Sequence, residues 1–336
     1  MTLTSPSRIL VLGGAGYVGS HTLRWLLRSG HQAWAYDNLV TGHRAAVPAG
    51  RLVEGALQDR AQLAATLRRL QIDAVMHFAA YALVGESVAD PAPYYDNNIG
   101  GTLAVLAAMR EAGVARLVFS STTATYGIPD RIPIREDEAQ RPINPYGFTK
   151  LAAEQAITDH AQAYGLAGGI LRYFNAAGAH ADGDIGEDHQ PETHLIPNVL
   201  QVALGQRAHC TVHGNDYPTP DGTCVRDYVH VDDLADAHLR ILALLQPGEA
   251  LKFNLGSGQG ASVLDIIQAC RRITGHAVPV QIGPRRPGDP PILVADSHRA
   301  RSVLGWRPLR SGVDAIVASA WRWHQGHPLG YADRTA

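Results

Sequence analysis

Tyr146 and Lys150 stand four residues apart in the stretch NPYGFTK, which runs from Asn144 to Lys150. On a helix this spacing puts both side chains on one face, one turn apart. Such a pair suits one piece of chemistry: the ammonium favours the ionised phenol and makes it a base. A phenol has a reference pKa of ~10, so a base near neutrality needs a fall of ~3 units, about 4 kcal/mol. A cation ~5 Å away at an effective dielectric of 20 supplies roughly 3 kcal/mol. Desolvation works the other way, so Lys150 alone falls short. The same two residues also make an ordinary surface pair, and the rest of the chain has to decide between the readings.

A phosphate cradle stands near the start. In LVLGGAGYVGSH, Gly14, Gly16 and Gly19 match G-x-G-x-x-G, and Gly13, Gly16 and Gly19 match G-x-x-G-x-x-G. With 34 glycines in the chain such matches are cheap, so context carries the weight. The loop follows an apolar run and opens a helical pattern, the arrangement that sets a pyrophosphate on helix N-terminal amides. Asp37 ends the next apolar run, WAYD, at about the expected ~20 residues. Its carboxylate can accept hydrogen bonds from both ribose hydroxyls and would repel a 2′-phosphate, which favours NAD over NADP. A tight turn and a solvated aspartate would explain either feature alone, but not the series. With NAD+ expected, its positive nicotinamide supplies the charge that Lys150 lacks. Thr122 lies at the end of RLVFSST, where ligands bind in open parallel sheets. Its hydroxyl can share a hydrogen bond with the same substrate hydroxyl and steady the developing oxyanion.

These residues need a scaffold, and the first half of the chain alternates as one. RILVLGG, HQAWAYD, DAVMHFAA, ARLVFSS and GGILRYFN read as strands. SHTLRWLLRSG, AQLAATLRRL, GGTLAVLAAMREAG and residues 145–164 read as helices. Strict alternation implies a parallel sheet covered on both faces, an α/β Rossmann-type doubly wound fold. After Asn175 the texture changes: residues 176–193 are polar, glycine-rich and aperiodic. They lead into a smaller α/β lobe built from HLIPNVLQVALGQ, HCTVHG and SVLDIIQACRRITG. The segment VRDYVHVDDLADAHLRILALL is expected to supply a strand and helix that return to the first domain, with Asp232 or Asp233 as the helix cap.

Composition narrows the classes. The 336 residues are 46% hydrophobic and 18% charged, with net charge -2, so no basic surface marks a nucleic-acid partner. No apolar stretch is long enough for a membrane span, and no signal peptide is expected. Cys210, Cys224 and Cys270 form neither a CxxC pair nor a disulfide framework, which fits a reducing cytosol.

The whole resembles the extended short-chain dehydrogenase/reductases, and within them the UDP-glucose 4-epimerases. The resemblance runs from about Ile9 to Tyr331 and rests on GGAGYVGSHT, YDNL, HFAA, VGESVADPAPYYDNN, NPYGFTK, LRYFNAAGAH, GNDYPTPDGTCVRDYVHVDDLADAH, NLGSG and RRPGDPPILVAD. It implies a tightly bound, recycled NAD held by Gly13, Gly16, Tyr17, Val18, Gly19 and Asp37. Asn38, Phe78, Ala79, Asn97, Lys150 and Tyr173 would complete the pocket. Tyr146 would be the base, Lys150 its partner and Thr122 the accompanying hydroxyl. Asn175, His194, Leu195, Arg226, Arg286, Asp289 and Leu293 would join Thr122 and Tyr146 in binding a UDP-sugar. Two arginines suit a diphosphate, which wants forked cationic donors. The implied reaction passes hydride from sugar C4 to NAD+, turns the 4-keto sugar over and returns hydride to the other face. Residues 1–178 would form the NAD domain, rejoined by the segment around 226–248, and residues 179–336 mainly the UDP-sugar lobe. A cytoplasmic homodimer without a metal is expected, pairing through helices near residues 95–112 and 147–164.

Departures and rivals sharpen the expectation. Ala56 stands where many epimerases have an aspartate contacting adenine, and Ala82 where some relatives have a lysine that reaches the cofactor phosphate. Leu293 aligns with a position bordering the sugar's 2-substituent, where tyrosine accompanies restriction to UDP-glucose and UDP-galactose; leucine leaves room for N-acetylated sugars. A core-facing strand residue is the competing reading of Leu293. A 4,6-dehydratase would need an Asp-Glu pair after Thr122, where Thr123 and Ala124 stand. A 4-epimerase of another UDP-sugar, a pentose or uronic acid, stays open. A non-catalytic dinucleotide sensor would have no need of Tyr146, Lys150 and Thr122 together.

Overall fold

The computed structural model describes residues 6–286 and 289–332. Its strands in chain order are β1 Arg8–Leu12, β2 Gln32–Asp37, β3 Leu52–Glu54, β4 Ala74–His77, β5 Arg116–Thr122, β6 Ala167–Tyr173, β7 Asn175–Ala177, β8 Cys210–His213, β9 Val225–His230, β10 Ala250–Leu255, β11 Gly260–Ser262, β12 Val280–Gly283 and β13 Ile292–Leu293. Seven of them form one sheet in the order β10-β6-β5-β4-β1-β2-β3, parallel throughout. The continuous apolar run of β1 follows from burial on both faces. Ile9 and Val11 join one core with Leu234, Ala237 and Ile241. Leu10 and Leu12 join the other with Leu67, Val105 and Ile157. This alternation is what a strand between two helical layers requires.

Two strands of this sheet lie outside the alternating pattern read from the sequence. β3 has only three residues, all partly open. β10 carries a half-buried Lys252 and lies beyond the smaller lobe's first elements. The segment expected to return does so in part. Its helix, Val231–Leu242, packs on the helix Tyr17–Arg28, but β9 belongs to a second sheet with β7, β11 and β13. The cap of that helix is His230, whose ring nitrogen accepts from the Asp232 amide at 3.1 Å. Asp232 and Asp233 sit inside the first turn instead, where negative charge meets the positive helix end.

The smaller lobe has its own core. Ile196, Val199 and Leu200 of helix Leu195–Ala203 meet Ile266 and Ile267 of helix Val263–Thr274 and Ile316 of helix Val313–Gly326. Residues 178–194 form the irregular connection into it. No helix among the described residues is long and apolar enough to cross a membrane.

Candidate active site

A cavity of about 480 Å³ opens where β1 and β4 diverge in chain order, and its walls come from both lobes. This is the switch point at which open α/β sheets bind ligands. The glycine loop leaves β1 here, and the Phe78 amide donates to the Leu12 carbonyl at 2.8 Å, drawing the end of β4 alongside. A Cβ on Gly13 would stand 2.5 Å from the Ala79 nitrogen, and one on Gly19 would stand 2.1 Å from the Gly13 oxygen. Both positions therefore have to be glycine for the loop to close onto helix Tyr17–Arg28. Asp37 is 8% exposed. Its Oδ2 accepts from the Ala15 amide and Oδ1 from the Leu39 amide, each at 2.9 Å. Burial pushes its carboxyl up and these amides oppose the shift. The carboxylate keeps acceptor capacity beyond those two bonds, so loop and aspartate fit an adenosine ribose and a pyrophosphate. Tyr17, Val18, Asn38, Phe78, Ala79, Asn97 and Tyr173 share the same walls. Ala82 is there too, while Asp59 caps helix Arg60–Arg69 by accepting from the Gln62 amide at 2.9 Å.

The Tyr146–Lys150 pair lines the same cavity. Asn144 caps helix Pro145–Tyr164 by accepting from the Gly147 amide at 2.8 Å, and Pro145 takes the first helical position. Gly147 lets the helix press against the end of β5: a Cβ there would stand 2.5 Å from the Ala124 oxygen. Tyr146 and Lys150 thus line the cavity with Thr122, whose hydroxyl accepts from the Ala124 amide at 3.2 Å. Thr122 pairs in register with Tyr173 on β6. Burial raises the Tyr146 pKa and the neighbouring Thr122 hydroxyl opposes the shift. Burial also brings the Lys150 ammonium down to about 7, with Glu154 opposing. The ammonium donates to the Ser120 carbonyl at 2.9 Å and lies 4.8 Å from the Phe119 ring centre. The protein alone therefore does not make a tyrosinate, in agreement with the arithmetic above.

Behind the pair is a buried network absent from the sequence reading. Glu154, one turn beyond Lys150, receives Arg172 Nη2 at 2.6 Å and Nε at 2.9 Å, both side chains being 1% exposed. The Ser121 hydroxyl also donates to Glu154. This ties the ends of β5 and β6 to the helix carrying Tyr146. Glu154 follows Lys150 at helical spacing, which was the available signal.

On the lobe side, Arg226 and Leu293 pair in register and both line the cavity, with Asn175, His194 and Asp289. The Arg226 guanidinium is paired with Asp289 and donates to the Val225 carbonyl at 2.8 Å. Leu293 thus faces the cavity as well as lying on a strand. Two expected substrate contacts stand off its wall. Leu195 packs into the lobe core at the start of its helix, and Arg286 is exposed near His213.

A model of the NAD dependent epimerase/dehydratase family matches residues 9–256. The chain belongs to this family. A UDP-glucose 4-epimerase of Lacticaseibacillus casei is 51% identical over 328 residues, covering 97% of this chain and 99% of the relative. The UDP-glucose 4-epimerase from Brucella ovis, solved in complex with NAD, is 50% identical with a TM-score of 0.90, covering 94% of this chain and 97% of that one. The UDP-Glc/GlcNAc 4-epimerase from Campylobacter jejuni is 39% identical with a TM-score of 0.83, covering 95% and 99%. Around His194, expected from the resemblance to meet the substrate, stand three charged or ionisable residues that the sequence reading did not single out. Glu187, His189, Glu192 and His194 come together, and of these His189 and His194 line the cavity.

Proposed function

We propose that this family member interconverts UDP-glucose and UDP-galactose with a tightly held, recycled NAD. The observation that carries the reading is the meeting of Tyr146, Thr122 and Lys150 with the glycine cradle and Arg226 in one cavity. Gly13, Gly16, Gly19 and Asp37 would hold the cofactor, and the chemistry it supplies is reversible oxidation at the sugar's C4. Tyr146 Oη takes the C4 hydroxyl proton and later gives it back. Thr122 holds that oxygen in place as charge develops on it. Lys150, when protonated, opposes the burial that disfavours a tyrosinate. Arg226 anchors the diphosphate while the sugar turns, which needs a firm grip at one end and a loose pocket at the other. Leu293 leaves that pocket open near the sugar's C2, which favours additional turnover of UDP-N-acetylglucosamine.

Organisation follows the same reading. The NAD-binding unit comprises residues 1–178 with helix Val231–Leu242 and β10, and most of the remainder binds the UDP-sugar. A homodimer would pair through the face carrying Tyr95 and Phe148, 41% and 46% exposed with ring centres 6.0 Å apart, and Leu103, 47% exposed; their exposed apolar surface supports that reading. The three cysteines are free and buried, which suits the cytoplasm.

The test mixes purified protein with UDP-galactose and no added cofactor. UDP-glucose should form, with a transient absorbance of reduced nicotinamide. Tyr146→Phe should retain NAD and lose on the order of 10²- to 10⁴-fold in turnover. A parent that leaves UDP-galactose unchanged, or a phenylalanine variant of normal rate, overturns the reading.

A further inference from the structure

The face of helix Pro145–Tyr164 that carries Tyr146 and Lys150 continues to Glu154. Residues four apart on a helix are neighbours, with Cβ atoms about 5–6 Å apart, so Glu154 adjoins Lys150 as Lys150 adjoins Tyr146. This face lies along the end of β5. There the Lys150 ammonium donates to the Ser120 carbonyl at 2.9 Å, and the Ser121 hydroxyl donates to Glu154. Lys150 is 4% exposed and Glu154 1%. The Glu154 carboxylate is well supplied with donors: beyond Arg172 and Ser121 it accepts from Gln140 Nε2 at 3.2 Å. Arg172 also donates to the Tyr126 hydroxyl at 2.7 Å and to Gln140 Oε1 at 3.0 Å.

Such a group could simply hold helix to sheet. A buried ion pair, though, often stabilises no more than apolar residues of the same size, so stability alone does not account for it. The charges nearby point to a use. The ionisable groups that face this row are Tyr94 beside Tyr146, His77 on β4, Tyr126 after β5, Arg172 and Tyr173 on β6, and Lys252 on β10. Burial holds His77 down at about 3 and pushes these tyrosines up, so all of them are uncharged near neutrality. Glu154 is the anion of this set, and a buried ammonium needs one. Burial works to strip the proton from Lys150, and Glu154 opposes it.

We propose that Glu154 is a positioning residue for the proton transfer: its buried carboxylate keeps the Lys150 side chain in the ammonium form beside Tyr146. The consequence is a balance within the pair. One proton can sit on either member. Ammonium with tyrosinate is the form that accepts the C4 hydroxyl proton; amine with phenol is the form that cannot. Both hold the same number of protons, so pH does not choose between them. The carboxylate does, by favouring the charged lysine. Arg172 in turn fixes the carboxylate with a fork of donors. This rests on the reading of Tyr146 as the proton acceptor.

The lysines of the chain are Lys150 and Lys252, so full-length protein labelled with carbon-13 at lysine Cε gives one resonance for each, and both can be titrated directly by NMR. In Glu154→Gln the Lys150 midpoint should fall by about one unit, a tenfold loss of proton affinity. Glu154→Asp keeps the anion and should hold the midpoint nearer the parental value. Glu154→Gln/Arg172→Met removes both buried charges together, so no guanidinium is stranded, and the Lys150 midpoint should fall as in Glu154→Gln. Lys252 feels Glu154 and Arg172 with opposite signs, so its midpoint should stay in place in the double variant and serves as the reference. Turnover of UDP-galactose by the double variant should approach the parental rate at low pH and fall behind as pH rises, to roughly tenfold. A parental Lys150 midpoint in both glutamine variants, an aspartate variant no better than Glu154→Gln, or a rate loss equal at every pH overturns the assignment. A parent that leaves UDP-galactose unchanged overturns the epimerase reading instead, because the titration reads the coupling without turnover.

Discussion

Gly19→Ala and Gly16→Ala separate the packing of the phosphate loop from what the loop holds. At Gly19 a methyl would meet three backbone atoms: the Gly13 oxygen at 2.1 Å, the Gly13 carbon at 2.9 Å and the Gly14 Cα at 3.0 Å. No rotamer can relieve this. Carbon–oxygen contacts settle near ~3.3 Å, so the loop carbonyl has to give by about 1 Å. Alanine inside a helix gains roughly 1 kcal/mol over glycine. Overpacking costs roughly 1–3 kcal/mol and occasionally more, so the clash wins and the bare protein loses about 1 kcal/mol or more. The Gly16 amide donates to that same carbonyl at 3.2 Å, so the cradle moves with it. A misplacement near 1 Å costs on the order of 10²-fold in rate. Gly16 is different. Its methyl would meet nothing closer than the Gly13 oxygen at 3.4 Å, its φ is -79°, and it lines the cavity. Gly16→Ala should unfold in denaturant within ~0.5 kcal/mol of the cofactor-stripped parent, yet retain at least tenfold less NAD. NAD released from heat-treated protein gives the second readout. Parental stability and NAD content in Gly19→Ala, or full NAD retention in Gly16→Ala, would refute the reasoning.

Lys150→Met should lose most turnover, with the acid limb of its pH–rate profile moved upward, because an ammonium no longer favours the tyrosinate. It should also alter stability in a defined direction. The folded-state pKa of Lys150 is depressed to about 7, so between about pH 7 and its unfolded value the unfolded chain binds more protons and the parent gains stability as pH rises. Cofactor-stripped Lys150→Met should therefore have its largest stability advantage below pH 7 and lose it towards pH 10; a pH-independent difference in denaturant midpoints would refute the assignment. Leu293→Tyr should lower the rate on UDP-N-acetylglucosamine relative to UDP-galactose by at least tenfold, and an unchanged ratio in competition assays would remove Leu293 from the sugar pocket.

The glycine loop and its aspartate were readable because their chemistry is local: a turn, a helix start and a strand end within one stretch of chain. The Tyr146 helix was readable for the same reason, with its start at Pro145. What escaped the sequence depends on distant partners. Arg172 reads as one more residue of a strand until Glu154 is seen to bury it. The sequence did not tell the settings of Leu195 and Arg286 apart from that of Arg226: Leu195 packs, partly buried, against the lobe core, whereas Arg286 is exposed. Asp232 had the composition of a cap, and His230 took that place because β9 runs directly into its helix.

The position of β10 bears on how the chain is made. β6, at residues 167–173, pairs along one side with β5 and along the other with β10, at residues 250–255. On a ribosome adding ~5–20 residues per second, β6 emerges seconds before its outer partner exists. During that interval its row of amides and carbonyls is an open template for any strand nearby. A nascent chain arrested within the smaller lobe would present this bare edge, so release of truncated products should favour aggregation, whereas β10 covers the β6 edge once residues 250–255 have emerged.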